Sequence, residues 1–381
     1  MKRKIITFIL PIAVALFYST TVAAQEQPDD LTLYQGGEAY EVKSYTQTFK
    51  SDTPKNVILL IGDGMGVAHL FAGLTANRGN LFIENCKHIG FSKTASSNRY
   101  VTDSAAGGTA ISTGKKTYNG AIGVDPDKNP MKTILEEASE KGLATGLVST
   151  SSITHATPAS FIAHQPSRSM EEEIAADFLK TDIDVFIGGG YDFFAKREDG
   201  RNLVDELVRK GYTVERELSK IENYNGKKLA GLTAPKGNPR VSERGNMLPV
   251  STRAAINVLK QNKKGFFLMV EGSFIDSGGH ANNTVQVVEE VLDFDQAVGK
   301  ALEFAAENGE TLVIVTADHE TGGMTVNDGS FETGMVKGAF TSTGHTGVMV
   351  PIFSYGPGAS EFIGIMENTD IYGKMRELLV K

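Results

Sequence analysis

The stretch NVILLIGDGMG, residues 56–66, constrains this chain more than any other: an unbroken apolar run predicts a strand buried on both faces, and it ends at Asp63 among glycines. A carboxylate at the carboxyl end of a buried parallel strand faces the crevice in which open α/β sheets hold their ligands. A phosphate-cradling glycine loop presents bare backbone N–H groups, and Asp63 would set a negative charge where the anion should lie. The carboxylate calls for a cation. An Asp after a strand is also an ordinary turn former or helix cap, so the choice rests on the remainder of the chain.

Further strand-like runs at 144–149, 185–187, 266–270, 312–316 and 350–354 alternate with helical patterns at 133–141, 170–179, 202–210, 252–260 and 284–307. That order predicts an α/β fold with a mostly parallel central sheet flanked by helices on both faces. Residues 1–24 read as a signal peptide: Lys2, Arg3 and Lys4 precede an apolar run at 5–17, and Val22, Ala23 and Ala24 suit cleavage near Ala24. The expectation is export, periplasmic or secreted. No stretch reaches the roughly 18 apolar residues that a membrane span needs. Residues 25–54 read as a polar lead segment, 55–381 as one domain, and the Lys-, Asn- and Gly-rich stretch 215–249 as a surface excursion.

Removing three basic and no acidic residues with the leader takes the formal charge from −8 to −11, which argues against a nucleic acid partner. Any attraction for an anionic substrate must be local. Cys86 is the only cysteine, so neither an internal disulfide nor a thiolate zinc site is available. It reads as a small buried apolar residue.

Five more polar clusters fall at or beyond strand ends. In VTDSAAGGTAISTG, Ser104 precedes a small-residue helix start, where a Ser is most often an N-cap and otherwise a nucleophile. STSSITHATPASFIAHQPSR supplies His155, Thr157 and Arg168, each with a plain reading as turn or surface residue. In LMVEGSFIDSGGHANN a strand ends at Glu271, and the following loop carries Asp276 and His280 at a spacing that suits one metal. TLVIVTADHETGG delivers Asp318 and His319 side by side; both reach one ion only if the chain turns there, which Gly322 and Gly323 permit. STGHTG then holds His345 between glycines. Four carboxylates and three imidazoles beyond strand ends would each need a partner, and divalent metals supply them.

Taken as a set, TDSAAGGTAISTGKKTYNGAIG and the other motifs resemble the alkaline phosphatases, in the family's order and at compatible spacing from 56 to about 358. The resemblance implies a phosphomonoesterase with two zinc ions and one magnesium. By position, Asp276, His280 and His345 match the ligands of the first zinc; Asp63, Asp318 and His319 match those of the second, beside the nucleophile Ser104. Asp63, Thr157 and Glu271 match the magnesium site, and Arg168 the phosphate clamp. The donor chemistry agrees, since zinc takes nitrogen and carboxylate oxygen whereas magnesium prefers oxygen. Three divalent ions against the carboxylates of Asp63, Glu271, Asp276 and Asp318 leave about +2, and Arg168 makes about +3, enough for a phosphate dianion and an alkoxide.

The resemblance further implies a phosphoserine intermediate on Ser104, with small phosphate monoesters as substrates and inorganic phosphate as product and inhibitor. Departures from the family pattern are an imidazole, His155, where some members have Asp, and a small residue, Ser277, where others carry a larger one. The first leaves the third site open to zinc; the second loosens contact with phosphate. A short insertion between His319 and His345 implies a much reduced surface subdomain and a more open site. Members are often dimeric, so a homodimer is possible here. The rival readings are a phosphodiesterase of the same metal superfamily and an inactive zinc- or phosphate-binding protein. His69, His88 and His164 read as structural.

Overall fold

Strand β1 (Asn56–Gly62) is buried along its whole length, as its unbroken apolar run requires. It runs near the middle of a ten-stranded sheet. The computed structural model describes residues 30–380, and the signal-peptide reading of 1–24 lies outside them. The other strands of this sheet are β2 (His88–Lys93), β3 (Ala144–Ser152), β4 (Val185–Gly189), β5 (Thr213–Glu215), β6 (Leu229–Leu232), β7 (Phe266–Gly272), β8 (Thr311–Thr316), β9 (Val350–Tyr355) and β10 (Gly364–Glu367). Across the sheet they follow the order β10-β2-β9-β8-β1-β7-β3-β4-β6-β5. Only β9 runs against its neighbours, antiparallel to both β2 and β8; every other pairing is parallel. The expected mostly parallel sheet is therefore present.

Alternate side chains of β1 serve different cores. Val57, Leu59 and Ile61 pack with helices Ile134–Glu140 and Glu171–Asp177 on one face, and Ile58 and Leu60 with Met247–Leu259 and Thr284–Asn308 on the other. A strand covered on both faces has no polar positions to alternate, which is why β1, β7 and β8 read as continuous apolar runs. The helix expected at 252–260 begins earlier, at Met247, with Pro249 in its first turn where a missing N–H costs nothing.

The stretch 215–249 is not a surface excursion. It contains β6, buried at all four residues and paired between β4 and β5, so it widens the sheet. Four small or apolar residues, LAGL, are too few to display a period. Part of the lead segment is likewise built in. Leu33–Tyr34 pairs with Val336–Phe340, which in turn pairs with Met324–Gly329. Tyr40 donates from its hydroxyl to buried Asp295 at 2.6 Å, and the same carboxylate accepts from the N–H groups of Phe82 and Ile83. No helix among the described residues is long and apolar enough to cross a membrane.

Candidate active site

Four adjacent parallel strands, β8, β1, β7 and β3, end on one edge of the sheet and bring the polar motifs together there. Asp63 follows β1, Glu271 lies in the last turn of pleat of β7, and Asp318 and His319 follow β8; all four are at most 1% exposed. Thr157 sits in the short helix Ala156–Ala159 just past β3, with His155 immediately before it. The loop expected to carry Asp276 and His280 is instead a helix, Phe274–His280, which sets the two side chains one turn apart on one face.

Ser104 is the first residue of helix Ser104–Thr113, but it is not the cap. Asp103 takes that role, accepting the Ala106 N–H at 3.0 Å, so the Ser104 hydroxyl is free to face the site. Its Oγ stands 3.2 Å from His319 Nε2 and 3.5 Å from Asp63 Oδ1. The helix comes this close because of Gly107, where a Cβ would lie 3.1 Å from the Asp318 carbonyl oxygen.

Three overlapping donor sets result: Asp276, His319 and His345; Asp63, Asp318 and His319; and Asp63, His155 and Glu271, each with its ligating atoms within 4.8 Å of one another. Their hydrogen bonding is conspicuously incomplete. Asp63 Oδ2, Asp318 Oδ2, Glu271 Oε1, His155 Nδ1 and Thr157 Oγ1 are buried without a partner, an arrangement that is costly unless a cation takes them up. Burial, followed by the charges of Asp318, Asp276 and Glu271, holds the Asp63 carboxyl well above the usual carboxylate range. Burial and the Asp276 charge push Asp318 up to about 7, and burial pulls His319 down to about 3. Protons would otherwise occupy the positions that the lone pairs converge on.

The imidazoles give independent support. His280 Nδ1 lies 2.6 Å from the Thr343 carbonyl oxygen and His345 Nδ1 2.9 Å from that of Thr102, so both Nδ1 atoms carry the hydrogen and donate. The two Nε2 lone pairs then face each other at 3.2 Å, with Asp276 Oδ2 3.3 Å from one and Oδ1 3.4 Å from the other. In its charged form the His280 ring donates to the Asp276 carboxylate, which pushes its pKa up to about 9, the signature of a position that must hold positive charge. These atoms fit a divalent cation without rearrangement of tautomers.

Arg168 stands at the mouth, its Nη1 3.2 Å from Asp103 Oδ2 and its Nη2 3.1 Å from His155 Nε2. His155 Nε2 therefore accepts from the guanidinium, which puts the ring hydrogen on Nδ1, the nitrogen that faces Glu271; Nδ1 can join that donor set only in the other tautomer, with the Arg168 hydrogen bond given up. Ser277 is half-buried on the Asp276 helix. Of the remaining histidines, His69 accepts the Gly66 N–H at 3.1 Å and His164 bridges the Gly123 carbonyl and Glu136. Sequence reasoning passed over Glu320 and Thr321, the residues directly after His319. Thr321 donates to Asp276 Oδ1 at 2.5 Å and lies 3.2 Å from His319 Nδ1. Their position next to a ligand pair was the available signal.

Fold and donor set together define an α/β protein with a multi-cation centre at the carboxyl edge of its sheet and a serine hydroxyl within it. The alkaline phosphatase family profile matches residues 54–339. Alkaline phosphatase 4 of Bacillus subtilis is 36% identical over 83% of this chain and 87% of its own length. The solved alkaline phosphatase of the Antarctic bacterium TAB5 superposes with a TM-score of 0.81 at 44% identity, covering 87% of this chain and 98% of that one. A variant of the TAB5 enzyme, solved with Mg in its M3 site, gives a TM-score of 0.80 over 87% and 99%. The chain belongs to the alkaline phosphatase family and is a phosphoric monoester hydrolase of that metal-dependent class.

Proposed function

We propose that the chain hydrolyses phosphate monoesters through a phosphoserine on Ser104, with two zinc ions and one magnesium. Asp276, His280 and His345 would hold one zinc, and Asp63, Asp318 and His319 the other; magnesium falls to Asp63, Thr157 and Glu271, and the His155 imidazole equips that site to take zinc as well. Bound there, such cations supply the positive charge that offsets the phosphoryl oxygens and lower the pKa of a neighbouring hydroxyl. The Ser104 Oγ attacks phosphorus in line, the ester P–O bond breaks, and the alcohol leaves after taking up a proton. Water then attacks the phosphorylated serine, the P–Oγ bond breaks, and inorganic phosphate and the free hydroxyl are released. Arg168 holds two phosphoryl oxygens with its planar fork, already aimed by Asp103 and His155.

The observation that carries this reading is the placement of Ser104 Oγ within 3.2 Å and 3.5 Å of ligand atoms of the innermost donor set, released from capping by Asp103. The test is acid quenching during turnover of a labelled monoester, followed by identification of the labelled residue. Label on Ser104 supports the reading; turnover with no label on Ser104, or undiminished turnover by Ser104→Ala, refutes it. Equal rates on a monoester and a diester would favour the phosphodiesterase, and absence of turnover in zinc and magnesium the binding protein. Export, with cleavage near Ala24, belongs to the same reading: an acidic chain with one buried cysteine suits an oxidising compartment.

A further inference from the structure

We infer that Glu320 is a positioning residue that sets the cation affinity of the outer group, Asp276, His280 and His345, by clasping three ligand-bearing segments at once. This rests on the proposed reading of those side chains as cation ligands. Glu320 is 4% exposed, and a carboxylate buried to that degree needs several donors. It has them. Its Oε1 accepts the Met324 N–H at 3.1 Å, and its Oε2 accepts the Gly323 N–H at 3.2 Å and the Thr346 hydroxyl. The donors come from the turn that follows Asp318 and His319 and from the residue after His345.

The third segment is the loop after Asp63. A Cβ on Gly66 would lie 2.5 Å from Glu320 Cγ, so that loop runs directly against the Glu320 side chain, and His69 Nδ1 stands 3.9 Å from Oε1. Gly66 and His69 are joined by their own hydrogen bond. Backbone pairing alone gives little purchase on His345: its strand is two residues long, His345–Thr346, paired only with Glu320–Thr321, and it continues into the exposed residues Val348 and Met349. Thr346 is the immediate neighbour of His345, so the Glu320–Thr346 bond fixes the direction in which that imidazole leaves the backbone. Thr321, across from His345 in the same pairing, bonds Asp276 and His319. An acceptor-only side chain with two oxygens can gather three donors, whereas an amide would turn an NH2 toward one of them.

The test is equilibrium competition for zinc between the protein and a chelator, read by metal analysis and independent of turnover. Glu320→Gln should hold its most weakly bound zinc about 10–100-fold less tightly, the range for loss of a partner that orients a ligand. Added zinc should restore kcat, leaving KM at saturating metal close to the parent value. Thr346→Ser should match the parent and Thr346→Val should fall between it and Glu320→Gln. If a folded Glu320→Gln retains parental zinc affinity, with or without a lower Tm, the inference fails. Should Glu320→Gln not fold, equal zinc affinity in Thr346→Val and Thr346→Ser overturns it. Absence of label on Ser104 would remove the proposed mechanism while leaving this zinc measurement interpretable.

Discussion

The inner and outer halves of the site are built to different standards. Asp63, Asp318 and His319 are at most 1% exposed and follow two central, fully paired strands. Asp276, His280 and His345 have side-chain exposures of 18%, 42% and 15%, and come from a seven-residue helix and a two-residue strand. The inner side chains inherit their geometry from the sheet. The outer ones depend on hydrogen bonds to Thr343, Thr102 and Thr321 and on the clasp around Glu320. A rigid half can hold a nucleophile in place while a looser half admits and releases substrate and product, which is the arrangement expected when the reacting serine must stay fixed and the alcohol must depart.

The largest effect that could break this comparison is loss of Ser104. Ser104→Ala should reduce kcat by roughly 10³-fold or more while metal analysis finds the cation content unchanged, because the hydroxyl belongs to the chemistry and not to the scaffold. Loss of metal with the hydroxyl would mean that the inner half is not preformed. Next comes chelation. Timed removal of zinc should proceed in two phases, with the fast phase accelerated by His280→Ala and left unchanged by changes elsewhere on the surface. A single phase would show that the two halves release together.

Asp318→Asn sharpens the contrast through sign. In metal-free protein Asp318 is a buried carboxyl pushed up to about 7 by burial and then by the Asp276 charge, so its ionised form opposes folding and stability falls as pH rises from about 4 toward 7. The neutral isostere should therefore raise the metal-free melting temperature at pH 8, on the order of 2 °C. In saturating zinc the same change should lower it, because a ligand charge is gone. Arg168→Ala should act more modestly: inorganic phosphate should inhibit about 10-fold less well, as expected for lost charge-assisted hydrogen bonds, with cation content intact.

How much of this the sequence shows follows the same division. Donor side chains at the ends of long buried strands were legible, since β1, β7 and β8 announce themselves as apolar runs and Asp63, Glu271 and Asp318 stand at their ends. The outer half was less so. Asp276 and His280 were found by spacing, yet SFIDSGGH reads as loop because its glycines and serines hide a helix that packing imposes. Glu320 was invisible for a different reason: its partners Gly323, Met324 and Thr346 are set by a turn and a two-residue pairing with no periodic signature. β6 escaped likewise, because the sheet rather than its own four residues makes it a strand.

The smallest prediction lies outside both halves, on the loop that carries Arg168. His164 Nε2 lies 2.9 Å from Glu136 Oε1, with Nδ1 2.8 Å from the Gly123 carbonyl oxygen. Burial works against charge on either partner and is the largest single cause, but the mutual hydrogen bond, the bonds with the Thr133 N–H and the Gly123 carbonyl and the attraction between the two charges together outweigh it, so His164 is raised from its ordinary value and Glu136 is lowered. The His164 contribution is therefore fully present below the unfolded pKa of about 6.5 and is lost as pH rises through its higher folded value. The Glu136 contribution is present above about 4.3 and is lost as pH falls. Their overlap puts the greatest benefit near pH 5–6, where solvent screening of this partly exposed pair keeps it to about 1 kcal/mol or less. Melting curves of parent and His164→Gln should differ most near pH 6 and converge near pH 9. If the difference stays constant over that range, the pair acts by packing alone, and the Arg168 loop has no electrostatic tie to helix Ile134–Glu140 that could loosen under alkaline conditions.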